Sequence, residues 1–203
     1  MADLPIDLAA GPTERLAGII DLEAKIPRAL DALGALAGRD VLLIGGGDGL
    51  RSRQLTELGA RVVYADADDR SAIGAADGSV DVMLSLWSPW RGATPEEAAE
   101  AARVLRPGGR LLVLLDYGRD DVSRLRGDLP EYGLLSRRDG PFLRGGFKVR
   151  VVHCFWTFPS LDDAAAFLGA TFGSVGTEVA TGMRRPRLSY NVAVYHRTFG
   201  SLS

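Results

Sequence analysis

Val41-Leu42-Leu43-Ile44-Gly45-Gly46-Gly47-Asp48-Gly49 is the stretch whose reading decides the fold. Four apolar residues run directly into a turn in which four of five residues are glycine. An apolar run that ends at glycine and precedes a helical pattern predicts a buried parallel strand turning sharply into a helix. Glycine supplies the unusual dihedrals of such a turn and lets a ligand approach its amides without a Cβ in the way.

Working outward, the flanking segments have matching patterns. Upstream, Leu22, Ile26, Ala29, Leu30, Leu33 and Leu36 recur at helical spacing, predicting a helix from Asp21 that ends near Gly38. Pro27 either kinks that helix or marks where its regular part begins. Downstream, Leu50, Leu55 and Leu58 predict a second helix that stops at Gly59. The strand Arg61-Val62-Val63-Tyr64-Ala65 follows and ends at Asp66. Strand, glycine turn, helix, strand and acid form the opening βαβ unit of a nucleotide-binding sheet.

Further on, Val82-Met83-Leu84-Ser85-Leu86 is another apolar strand. Thr94, Pro95 and Glu97 then spell an N-cap, a first-turn proline and a capping box. The expected inward face of that helix is Ala98, Ala101, Ala102 and Leu105. Leu105-Arg106-Pro107-Gly108-Gly109 ends it and feeds the strand from Arg110 to Leu115, which closes at Asp116-Tyr117-Gly118. Residues 119–146 are expected to form a cap segment with a short helix around Val122 and Leu125. Phe147 to Phe158 alternates as a more solvated strand, Ser160 caps a helix ending near Gly173, and Leu188 to Thr198 is the last strand. No internal repeat or low-complexity linker divides the chain. Residues 1–203 are therefore expected to form a single domain, with 1–38 an N-terminal arm and helix.

Bulk composition excludes several classes. A formal net charge of −2 provides no field to collect nucleic acid or anionic membrane. The one cysteine, Cys154, excludes an internal disulfide and has no companion metal-ligand pattern. The first residues lack the plan of a signal peptide, and no apolar run has the length of a membrane span. The expectation is a cytoplasmic protein without a metal.

From about Val41 to Asp116 the chain resembles the class I S-adenosylmethionine-dependent methyltransferases, which have a Rossmann-like fold. Three motifs carry the resemblance. They are Gly45-x-Gly47-x-Gly49 with Asp66 after the next strand, Asp77-Gly78-Ser79-Val80-Asp81-Val82-Met83-Leu84-Ser85, and Ala102-Arg103-Val104-Leu105-Arg106-Pro107-Gly108-Gly109-Arg110-Leu111-Leu112-Val113. Dinucleotide enzymes compete for the first motif. Their fingerprint, however, requires a small residue three positions after the second glycine, where this chain has Leu50.

The resemblance implies a three-layer α/β/α sheet, mostly parallel, with a C-terminal antiparallel hairpin. It implies S-adenosyl-L-methionine as cofactor, held by Gly45, Gly46, Gly47, Asp48 and Gly49. Asp66 would accept from the ribose hydroxyls, with Ala67, Asp77 and Ser85 nearby. The implied activity is methyl transfer to a small-molecule acceptor. Two departures stand out. Leu43 occupies a position where the family commonly has an acid. The stretch from Asp66 to Asp81 is too short for a full helix and strand, which predicts six strands rather than seven and reduces the adenine platform to residues such as Ala76. They also motivate the alternative of a catalytically inactive methyltransferase-like binding module.

Trp87, Ser88, Pro89 and Trp90 follow a strand at the edge where open α/β sheets bind ligands. The two tryptophans either wall an acceptor pocket or pack against the N-terminal helix. Asp116, Tyr117 and nearby Arg119 either orient an acceptor and take its proton or serve loop structure. His153 is expected to face the covered side of the sheet, as a base or as a structural residue. Arg184-Arg185-Pro186-Arg187 is a solvated loop or a site for an anionic substrate.

Overall fold

The computed structural model describes residues 15–45, 49–65, 72–127, 129 and 131–200. Its elements in chain order are α1 (Lys25–Gly34), β1 (Asp40–Ile44), α2 (Leu50–Glu57), β2 (Arg61–Ala65), β3 (Val80–Leu86), α3 (Pro95–Val104) and β4 (Leu105–Asp116). The short helices α4 (Asp121–Leu125), α5 (Glu131–Leu134) and α6 (Pro141–Arg144) follow, then β5 (Lys148–Thr157), α7 (Leu161–Gly182) and β6 (Arg187–Thr198).

The six strands form one sheet in the order β2-β1-β3-β4-β6-β5. β2, β1, β3 and β4 run parallel, and β6 lies antiparallel between β4 and β5. The six-stranded, mostly parallel sheet with an antiparallel C-terminal hairpin is as the sequence predicts. β2 is an edge strand, which leaves Val63 and Tyr64 about half exposed. The chain leaves β1 in one direction to form β2 and returns on the other side as β3. That reversal opens a crevice beyond the carboxyl ends of β1 and β3.

Alternation along each strand sends side chains to two separate cores. Val41, Leu43, Val82, Leu84 and Leu112 face a layer filled by Ile26 and Leu30 of α1, Leu55 of α2, Val122 of α4 and Phe167 of α7. Leu42, Ile44, Met83, Leu111 and Val113 face Ala101 and Val104 of α3 and Phe142 of α6. This is the α/β/α layering expected of a central sheet buried on both faces. Each fully buried aliphatic chain contributes about 1.5–3 kcal/mol. The register of β1 is thereby fixed, because a one-residue slip would exchange its two faces.

Several boundaries differ from expectation. The first helix starts at Lys25, because Asp21 and Ala24 both take left-handed dihedrals. The Asp21 carboxylate accepts from the backbone N–H groups of Lys25 and Ile26, which starts the helix there and leaves Leu22 59% exposed. Pro27 sits near that start, where its missing N–H costs nothing. The Thr94–Glu97 capping box is present in full. On α3, however, Ala102 is exposed, and Glu97, Glu100 and Val104 share the inward side with Ala101. α7 continues past Gly173, whose φ of 61° breaks it into two helical pieces.

Candidate functional site

Gly45 opens the turn with φ 68°, a conformation that disfavours any residue with a Cβ. Gly49 closes it as the N-cap of α2 and itself brings no side chain to that helix end. The first N–H groups of α2 and the positive end of its dipole therefore stand at the switch-point crevice. Gly46, Gly47, Asp48, Asp66 and Ala67 lie outside the described residues. Leu43 is fully buried in the first core layer, so this position presents no carboxylate to the crevice.

Across the crevice, Trp87 takes a left-handed φ of 49°, and its indole Nε1 donates to Asp116 Oδ1 at 2.9 Å. Asp116 gathers four donors from four separate segments of the chain. Oδ1 also accepts from the Tyr190 hydroxyl at 2.5 Å, and Oδ2 accepts from Arg126 and, at 3.4 Å, from the Tyr132 hydroxyl. Complete burial, reinforced by the Asp116 charge, pushes the Tyr190 hydroxyl well above the usual tyrosine range. Burial and the same charge push Tyr132 to about 12. Both phenols are thus donors at neutral pH, and Asp116 is saturated as an acceptor. That arrangement fixes Trp87 and the cap segment. It leaves no lone pair on Asp116 to take a proton from an incoming molecule.

The neighbouring acids complete the wall. Asp120 caps α4 through Ser123 and accepts from the backbone N–H of Asn191, while burial pushes its carboxyl up. Asp121 accepts from both the N–H and the hydroxyl of Ser189. These two acids tie the loop after β4 to β6. Tyr117 donates its N–H to the Asn191 carbonyl, and its ring lies 6.0 Å from the Arg119 guanidinium.

Other anticipated residues sit elsewhere. Trp90 is fully buried in the second core layer rather than at the crevice. Ser85 is also fully buried, its hydroxyl donating to the Trp90 carbonyl. Asp77 lies at the opposite, amino edge of β3, in an ion pair with Arg103 at 2.5 Å. His153 is exposed and pairs with the Asn191 side chain at 2.7 Å, because the strand turns Val152, Cys154 and Trp156 inward instead. Burial pushes the Cys154 thiol far above its usual range.

One feature was not anticipated. Arg51, in the first turn of α2, is 1% exposed, bonds Gln54 at 2.7 Å, lies 3.9 Å from Asp21 and stands 5.9 Å from the Trp87 ring. An arginine two residues past a glycine turn is the only signal the sequence offers, and it does not identify Asp21 as the partner.

Two cavities flank this region, and a third lies apart from it. One of about 430 Å³ is walled by Trp87, Arg91, Glu97, Leu135 and Phe142. A second of about 150 Å³ shares Trp87, Arg91 and Leu135 with it and adds Asp116, Arg126 and Tyr132. The largest, about 720 Å³, lies away from the crevice between α4, the end of α7 and the start of β6, and includes Arg184, Arg185 and Arg187. Size alone favours the third, but the two that contain Trp87 adjoin the switch point where ligands of such sheets bind.

No protein-family model matches the chain. It is 36% identical over 138 residues to a Mycobacterium tuberculosis protein named an uncharacterized methyltransferase, and equally so to one from Mycobacterium bovis. The match covers 58% of this chain and 55% of each relative, so the chain spans about half the length of these curated relatives. Among solved structures, a proposed type II methyltransferase from Anaeromyxobacter dehalogenans superposes with a TM-score of 0.56 at 19% identity, covering 87% of this chain and 97% of that one. An S-adenosylmethionine-dependent methyltransferase from Aquifex aeolicus gives 0.50 at 17% identity, covering 94% and 98%. The sheet order, its reversal at β1 and β3 and these likenesses agree: the chain has the Rossmann-like fold of the class I S-adenosylmethionine-dependent methyltransferases.

Proposed function

We propose that this chain transfers a methyl group from S-adenosyl-L-methionine to a small-molecule acceptor. The observation that carries the reading is the crevice between Gly45 and Trp87, which sets the glycine-capped N-terminus of α2 beside adjoining cavities under residues 119–146. The described part of the turn fits the cofactor: Gly45 is left-handed and Gly49 brings no side chain into the approach. On the resemblance, Gly46, Gly47 and Asp48 complete the turn, and Asp66 with Ala67 receives the ribose.

The cofactor supplies a methyl group bonded to a positive sulfur. An acceptor lone pair forms the new bond to carbon as the carbon–sulfur bond breaks and its electron pair returns to sulfur. Little covalent help is needed from the protein, and most of the acceleration comes from holding the reactants close and in line. In this chain Trp87, locked by Asp116, supplies a rigid wall for that purpose. With Asp116 saturated and both tyrosines protonated, the reading favours an acceptor that is already nucleophilic or gives its proton to water. The net charge of −2 favours a small molecule over nucleic acid. Among the described residues, no helix is long and apolar enough to cross a membrane.

Calorimetric titration with S-adenosylmethionine and S-adenosylhomocysteine tests the proposal. Micromolar binding that is lost in Asp66→Ala supports it. A folded sample that binds neither would overturn it in favour of an inactive binding module.

A further inference from the structure

Among the described residues, Arg91 is the one cation lining the cavities beside Trp87 that lacks a counter-ion. It follows Trp90 in the loop after β3 and is only partly exposed, with its Nε sealed from solvent and without a hydrogen-bond partner. No ion pair is formed by it among the described residues. Its neighbour Arg126 is neutralised by Asp116. Glu97, on the same cavity wall, accepts from the N–H groups of Ala93 and Thr94 in the capping box. Glu131, on the smaller cavity, is exposed. A guanidinium held in a partly buried wall without compensation carries a desolvation cost that an incoming anion would relieve.

The surroundings add an apolar wall. Phe142, which lines the larger cavity, stacks on Tyr195 with ring centres 4.0 Å apart and planes 11° apart. Leu135 lies on the boundary of both cavities. Gly92 holds the loop close to β4: at φ 64°, an added Cβ would sit 2.2 Å from Leu111 Cδ2. The position of Arg91 is therefore set by the fold rather than by a flexible tail.

Building on the methyltransferase reading, we propose that Arg91 determines acceptor specificity, binding a carboxylate or phosphate on a molecule whose apolar body lies along Leu135 and Phe142. A planar guanidinium grips either anion through paired hydrogen bonds. The larger cavity, at about 430 Å³, falls within the range of small-molecule pockets.

The test uses the full chain with benzoate, phenyl phosphate and neutral benzamide as probes, read by calorimetry and thermal shift. Wild type is expected to bind at least one of the two anions and to ignore benzamide, and comparing the two separates carboxylate from phosphate. Arg91→Met should weaken the anion about tenfold or more. Arg91→Lys should recover part of that loss, since it keeps the charge without the planar fork. Titration of each variant with S-adenosylhomocysteine reports folding and the cofactor site independently, and its affinity should not change. Equal anion binding by Arg91→Met, benzamide binding as tight as benzoate, or no anion binding by a wild type that binds S-adenosylhomocysteine would each overturn the assignment. Loss of S-adenosylhomocysteine binding by wild type would instead count against the methyltransferase reading alone.

Discussion

Replacing Asp116 with asparagine removes one charge while preserving shape, so it isolates what the four-donor cluster contributes. The Asp116 side chain is 9% exposed and that of Arg126 19%, so the pair is shielded but not fully buried. Breaking a buried ion pair by deleting one partner costs about 3–5 kcal/mol, because the remaining charge is stranded. Discounting for the water that still reaches Arg126 lowers the expectation to about 2–4 kcal/mol. In either orientation the new amide turns an N–H group toward an obligate donor, Arg126 on one side or the Trp87 indole on the other, so the cost should fall in the upper half of that range. For a chain of this size that corresponds to a fall in Tm of roughly 5–15 °C.

Urea unfolding at neutral pH provides the measurement, with Arg126→Met and the double variant completing a cycle. The coupling between the two sites should be about 1–3 kcal/mol. Tyr190→Phe removes one donor and keeps the ion pair, so it should cost only about 1 kcal/mol. An Asp116→Asn variant within about 0.5 kcal/mol of wild type, or strictly additive single and double variants, would refute the claim that this cluster locks the site.

Two further outcomes follow from other parts of the fold. Gly92→Ala should be destabilised on two counts, about 1–2 kcal/mol for the left-handed backbone and about 1–3 kcal/mol for overpacking against Leu111; thermal melting checks this, and an unchanged Tm would contradict it. Asp40 accepts from Arg61 at 2.7 Å and Arg106 at 2.8 Å, and the Arg61 hydrogen bond, then that of Arg106, lowers its pKa from 3.8 to about 2. Because the folded value is depressed, its contribution is present above the ordinary carboxylate range and is lost as pH falls from about 4 toward about 2. Asp40→Asn should therefore flatten the stability curve in that acid window, and an unaltered curve would show that the pairing does not persist in solution.

The sequence by itself determined the six strands, and the motifs among them implied a mostly parallel sheet with a C-terminal antiparallel hairpin. β1, β3 and β4 are legible because strands buried on both faces must be apolar almost throughout, and little else produces such short unbroken runs. The Thr94–Glu97 cap was legible because capping is local chemistry at fixed spacing. The short stretch after Asp66 correctly predicted six strands, since chain length is itself a constraint. Helix limits were less legible. Asp21 reads as the start of the helix, yet its carboxylate caps a helix that begins four residues later.

The site was only partly legible, because its contacts join residues far apart in the chain. Asp116 appeared in the sequence as a loop acid or a base. Its saturation by Trp87, Arg126, Tyr132 and Tyr190 depends on β6 lying beside β4 and on the cap segment folding back. His153 was expected on the covered face and is exposed, since alternation gives two faces but does not say which one is covered; Trp90, left open between a pocket wall and the N-terminal helix, packs instead in the α3 layer. Arg51 and Arg91 gave almost no signal, because an arginine in isolation reads as solvated surface. Only the tertiary structure decides whether an arginine is buried and what faces it, since burial and pairing are properties of the surroundings that the packed elements create.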